Sequence, residues 1–128
     1  MFYASCSLQG ASPHIKALNI AGTKKLSELI QPSIIIAKQG FKLDDDYIRR
    51  YKINLEELKK DSSSKEIYFD NTGKELRKGH KFIQSDLAIT YKKFGEKGLD
   101  YFYRGEFAHK LVKLMKKKGG MITYDDMK

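Results

Sequence analysis

A chain of 128 residues with a single cysteine, Cys6, has the length of one small domain and excludes an internal disulfide framework. Its longest apolar run, Leu29–Ala37, is broken by polar residues and far short of the roughly 20 residues a membrane-spanning helix needs, so no transmembrane segment is expected. The formal charge of +9 rests on scattered lysines, with only Arg49, Arg50, Arg77 and Arg104 to supply arginine forks, so nucleic acid is not a favoured partner.

Residues 1–21 show no clear period, and "MFYASC" lacks the basic and apolar regions of an export signal. As given, the chain is expected to be cytoplasmic. Leu26, Leu29, Ile30, Ile34 and Ala37 then recur at helical spacing. Pro32 either kinks that helix or opens a fresh one as its first residue, and Gly40 stops it. In "LDDDYIRRYKINLEELKK" acidic caps precede Tyr47, Ile48, Tyr51, Leu55 and Leu58 on one helical face. "DSSSK" reads as a loop, and "EIYFDNTGKEL" as a short extended stretch turning at Asn71-Thr72-Gly73.

The last third carries the strongest helical signals. Ser85 can cap a helix containing Leu87, Ala88, Tyr91 and Phe94 that ends before Gly98. Tyr103, Phe107, Ala108, Leu111, Val112 and Met115 form an apolar stripe, which Lys116 to Lys118 and Gly119-Gly120 bring to an end. Thr123 and Asp126 then have the spacing of an N-cap and an acidic first turn, predicting a helix start near Tyr124. Only the residues to Lys128 remain to form that helix, so the ending reads as a truncation. The sum is four or five helices with one short extended stretch. A lone hairpin is marginal in water, so the chain reads as part of something larger.

Little in these elements carries chemistry. His14, His80 and His109 stand apart from one another and Cys6 has no cysteine partner, so neither a metal site nor a cofactor is expected. His109, on a lysine-rich helix, is expected to face solvent. Asp44-Asp45-Asp46 lacks the alternating acidic loop of an EF-hand and directly precedes a helix, so it is read as capping. Gly119-Gly120 lacks a phosphate-loop context, and no serine nucleophile motif occurs. The basic, amphipathic "HKLVKLMKKK" fits a membrane surface or a core-facing helix, and the core-facing reading is preferred. No catalytic, substrate-binding or metal-ligating residue is assigned.

Two blocks nevertheless have a specific order. In "GTKKLSELIQPSIIIAKQGF", Gly22, Thr23, Leu26, Pro32, Ala37, Gly40 and Phe41 fall on the pattern G-T-x-x-L-x-x-x-x-x-P-A-x-x-x-A-x-x-G-F, with Ser33 in place of an alanine. The second block runs from Phe82 to Met127. Gln84, Leu87, Ala88 and Thr90 fall on Q-x-x-L-A-x-T-L, with Tyr91 where leucine is common. Gly98, Phe102, Tyr103, Gly105 and Ala108 fall on G-x-x-x-F-Y-x-G-x-x-A. Gly119, Gly120, Ile122, Thr123 and Asp126 fall on G-G-x-I-T-x-x-D-L, with Met127 at the leucine. In this order and spacing, residues 22–128 resemble the γ-glutamyltranspeptidase (glutathione hydrolase) family, within an internal, mainly helical part of its large chain. Residues 1–21 depart from the V-P-G-x-x-x-G run expected before it.

The resemblance implies a mainly α segment of the αββα fold of N-terminal-nucleophile hydrolases. It implies a parent activity of glutathione hydrolysis and γ-glutamyl transfer to amino acids or peptides, performed by an N-terminal threonine in a T-T-H-type motif. An arginine in an R-E-x-A-P-type segment would grip the substrate. Neither motif occurs in these residues. The matched residues are therefore expected to be architectural, and the chain alone to be inactive. The remaining parts of a split enzyme are its expected partners, making it either a fragment or a non-catalytic subunit. A small basic binding protein is the alternative outside the family. Full-length members are usually periplasmic, secreted or at the cell surface.

Overall fold

The structure, a computed structural model, describes residues 11–127; Cys6 and the start of the poorly matching N-terminal stretch lie outside them. The described chain folds as two compact units, Ser33–Ala88 and the residues on either side of it, 11–32 with 89–127.

Ser33–Ala88 takes in most of helix α3 (Gln31–Gln39), which Pro32 enters in its first turn, where a missing N–H costs nothing. The short helix α2 (Leu26–Leu29) stops just before it, so the proline opens a fresh helix and does not kink a long one. Gly40 ends α3 at φ +76, its N–H donating to Ile36 O at 2.7 Å. The chain then enters a two-residue strand β1 (Phe41–Lys42), antiparallel to β2 (Lys81–Phe82), with Phe41 opposite Phe82 and Lys42 opposite Lys81. No sequence period reveals strands this short.

Helices α4 (Asp45–Ile53), α5 (Leu55–Leu58) and α6 (Ser62–Tyr68) follow. Asp44 caps α4, accepting from Tyr47 N at 2.8 Å, and Asp61 caps α6, accepting from Ser64 N at 3.0 Å. The stretch "DSSSK", expected as a loop, is thus the first turn of a helix. Its serines are helix-compatible once an aspartate satisfies the free N–H groups ahead of them. The predicted extended stretch survives only as an isolated bridge, Phe69 to Glu75, around the turn at Asn71-Thr72-Gly73. Asp70 holds that turn by accepting from Thr72 N, Thr72 Oγ1 and Lys74 N at 2.7–2.9 Å.

The core of this unit is Leu43, Tyr51, Leu76 and Phe82, with Tyr47, Ile48, Leu55, Leu58 and Tyr68 packed around it. The predicted apolar face of α4 and α5 is therefore the face that is covered. Phe82 sits among Phe41, Tyr47 and Tyr68 at ring distances of 5.6–5.9 Å. The Tyr51 hydroxyl, carried into the core, donates to Tyr68 O at 2.9 Å, so its burial leaves no polar group unsatisfied.

In the other unit, helix α1 (Ala11–Ala21) brings Ile15 into a buried position. Helix α7 (Ser85–Leu99) runs into this unit and breaks at Gly98, whose φ of 61° and ψ of −143° lie outside any helix. A π-helical turn, Asp100–Arg104, links it to α8 (Glu106–Lys118). Ala108 is fully buried and Phe102 stacks on Phe107 at 4.4 Å, which fixes α8 against the π-turn. No helix among the described residues is long and apolar enough to cross a membrane.

Candidate functional site

The matched glycines, aromatics and alanines fall into two sets. Gly40, Phe41, Gln84, Leu87 and Ala88 lie in Ser33–Ala88, where Gln84 N donates to Ala37 O at 2.9 Å and thereby joins the end of α3 to the entrance of α7. Pro32, Thr90, Gly98, Phe102, Tyr103, Gly105, Ala108, Gly119, Gly120, Ile122, Thr123 and Asp126 lie in the other unit. There the structure brings together the run from Gly98 to Asp126.

Each step of that run has a local cause. Gly98 takes the positive φ that lets α7 stop and the π-turn begin. Gly105 is the N-cap of α8, in extended conformation. At the far end Gly119 adopts the left-handed conformation and Gly120 N donates to Met115 O at 2.8 Å, a Schellman-type closure that satisfies a terminal carbonyl. The chain then folds back. Asp126 accepts from Thr123 N at 2.8 Å and from Thr123 Oγ1 at 2.7 Å, and Asp126 N donates back to Thr123 Oγ1 at 3.4 Å, the reciprocal geometry of a capping box. The predicted cap is thus formed, over a turn at 124–127, and the hydrogen bonds from the Thr123 hydroxyl and backbone N–H hold the Asp126 carboxyl below the usual carboxylate range. Met127 is almost completely buried, and Tyr124 Oη donates to Arg104 O at 3.0 Å. His109 is exposed as expected; its Nδ1–H donates to Gly105 O at 2.9 Å and its ring lies 4.8 Å from that of Tyr124.

Glu106 is the electrostatic centre of this unit. It accepts from Lys93 on α7 at 2.7 Å and pairs with Lys110, one turn along α8, at 2.7 Å. The Lys110 ammonium first and the Lys93 ammonium second hold its carboxyl at about 2. The arrangement ties α7 to α8.

Beside these residues is a groove of about 730 Å³ whose walls include Asn19, Leu26, Gly98, Asp100, Tyr103 and Arg104. Of its charged groups, Arg104 pairs with Asp100 at 3.0 Å and the Asp126 carboxylate is held by Thr123, while Lys97 also lines it. Sequence periodicity had not revealed the π-turn, and the glycine at 98 was its only signal. In Ser33–Ala88, Asp44 is the cap already described, Asp45 pairs with Lys78, and Asp46 pairs with Arg49 and, at 2.8 Å, with Arg50. Among the described residues no three His, Cys, Asp or Glu side chains are placed to hold a metal ion. The geometry organises helix ends.

Comparison with known proteins gives the same picture. The family model described as gamma-glutamyltranspeptidase matches residues 15–128. A glutathione hydrolase proenzyme of Pseudomonas sp. (strain A14) is 38% identical over 106 residues, covering 83% of this chain and 18% of that protein. The corresponding proenzyme of Escherichia coli (strain K12) is 34% identical over 114 residues, covering 87% of this chain and 19% of that protein. The crystal structure of the Helicobacter pylori γ-glutamyltranspeptidase superposes with a TM-score of 0.86 at 36% identity, covering 91% of this chain and 34% of that one. The chain thus spans under a fifth of the length of these curated relatives. Its fold is a mainly helical segment of the N-terminal-nucleophile hydrolase fold of these neighbours. The ordered motifs, the helix ends they build and the superposition agree: the chain belongs to the γ-glutamyltranspeptidase family.

Proposed function

We propose that the matched residues, 15–128, act as a helical, non-catalytic portion of the large chain of a γ-glutamyltranspeptidase. The activity it serves is glutathione hydrolysis and transfer of the γ-glutamyl group to an amino acid or peptide. The threonine nucleophile and the substrate-gripping arginine come from elsewhere, since no T-T-H or R-E-x-A-P segment lies in this sequence. The matched residues then have an architectural role, setting helix ends and close packing.

One observation carries this reading. The match runs from residue 15 to 128, and the motif positions within it build caps, a kink and a terminal fold-back. Large apolar side chains are left in the open, Ile53 at 74% and Met121 at 85% exposed, as single positions and not as a continuous face.

The test has two arms. The purified chain incubated with glutathione is expected to release no glutamate above a no-protein control; measurable turnover would refute the non-catalytic assignment. Co-production with polypeptides carrying the R-E-x-A-P and T-T-H segments is expected to yield a co-purifying, active complex. Failure of the two to associate would refute the assembly.

A further inference from the structure

A second groove, of about 700 Å³, lies wholly within Ser33–Ala88 and involves none of the family-motif residues. Lys52 on α4, Lys59 after α5, Lys74 in the turn enclosed by the Phe69–Glu75 bridge, and Arg77 and Lys78 just after that bridge line it, with Glu75 as its one acid. Its floor is apolar, made by Ile48, Phe69 and Leu76, of which Leu76 belongs to the core.

The cations divide by how they are satisfied. Lys59 shares its ammonium between Glu56 at 3.0 Å and Glu75 at 3.3 Å, and Lys78 pairs with Asp45. Lys52, Lys74 and Arg77 form no ion pair among the described residues. Three cations outside any ion pair, of which Lys74 feels the Asp70 carboxylate nearby, sit with apolar lining and favour an anion that also has something to bury.

The distribution of charge decides what kind of anion. Ser33–Ala88 contains twelve Lys and Arg against ten Asp and Glu, and the groove takes five of the basic and one of the acidic residues. Everything outside the groove in this unit is therefore net negative, Asp44, Asp46, Glu57 and Glu66 included. A duplex nucleic acid or an anionic membrane presents charge over an area wider than the groove, and in the rest of this unit nine acidic residues outnumber seven basic ones. A short segment would stay within the groove. Lysine point charges suit separated carboxylates, and the apolar floor rewards a side chain that a polyphosphate lacks.

We propose that the groove bounded by Lys52, Lys74 and Arg77 docks a short acidic peptide segment, its carboxylates on those three cations and an apolar side chain on Ile48 and Phe69. The surface is distinct from the motif residues, so it stands or falls independently of the enzymatic reading.

Fluorescence anisotropy of the full chain with a fluorescein-labelled Glu-Glu-Leu-Glu-Glu peptide tests this. Lys52→Gln/Lys74→Gln/Arg77→Gln is expected to weaken binding about tenfold or more, because it removes the unpaired cations. Lys116→Gln/Lys117→Gln/Lys118→Gln, which removes the same charge from the end of α8, is expected to change it less than about twofold. Replacing leucine by serine in the peptide should weaken binding about tenfold. Circular dichroism of each variant confirms that it is folded. No binding, equal loss in both triple variants, indifference to the leucine, or equal competition by a thymidine pentanucleotide or anionic vesicles would each overturn the proposal.

Discussion

Gly40 shows how a single position can be fixed by two independent constraints. Its φ of +76 is one that L side chains rarely adopt, and a Cβ there would lie 2.6 Å from Ile83 Cγ1 and 2.7 Å from the backbone oxygen of Phe82. Gly73 has nearly the same φ, +75, with nothing within 4 Å of a built Cβ. Gly73→Ala should therefore cost only the backbone term, about 1 kcal/mol. Gly40→Ala should cost about 2–4 kcal/mol, because β2 must also shift. Urea unfolding of both variants measures the difference, and equal midpoints would show that the contact with β2 does not matter. The sequence identifies Gly40 as a helix stop through its place after Lys38 and Gln39. That Phe82, 42 positions on, crowds it could not be read from the sequence, since the contact is made by strand pairing.

At the scale of elements, helix boundaries follow from local chemistry and their connections from charge. Asp44 and Asp61 each cap a helix by accepting a backbone N–H three residues on, so their effect is confined to a few neighbouring residues and one of them was predicted. Glu106 works across elements, between α7 and α8, and its pH dependence follows directly. Its folded value of about 2 is below its ordinary 4.5. The stabilisation it brings is therefore fully present above about 4.5 and is lost as pH falls toward 2. Urea midpoints of the native chain and Glu106→Gln should differ most at pH 5 and converge as the pH approaches 2. A difference that stays constant over that range would rule out the ion pairs as its cause. The side chains are partly exposed and the effect is screened by salt. Lys110 was legible as the i+4 partner of Glu106. Lys93 was not, because its proximity depends on the break at Gly98 and the π-turn that follows.

For the whole molecule, the question is what its exposed apolar side chains are for. Ile53 and Met121, each more than two-thirds exposed, sit outside the packed cores of their own units. Ile53→Lys and Met121→Lys should each leave unfolding free energy within about 0.5 kcal/mol of the native chain, as surface substitutions do. Both should reduce light scattering of concentrated solutions. A large loss of stability from either would mean that the side chain is part of a core.

What the sequence by itself determined is local and ordered: helix stops at Gly40, Gly98 and Gly119, the cap at Asp44, the capping box at Thr123 and Asp126, and the motif order that belongs to the γ-glutamyltranspeptidase family. These features depend on residues within a few positions of one another, so spacing alone displays them. Tertiary structure alone decided the β1–β2 pairing, the π-turn, the burial of Met127 beyond the last long helix, and the gathering of Lys52, Lys74 and Arg77 around one apolar floor. Each of these requires segments separated along the chain to meet, and the free energy that holds them comes from burial that no local pattern records.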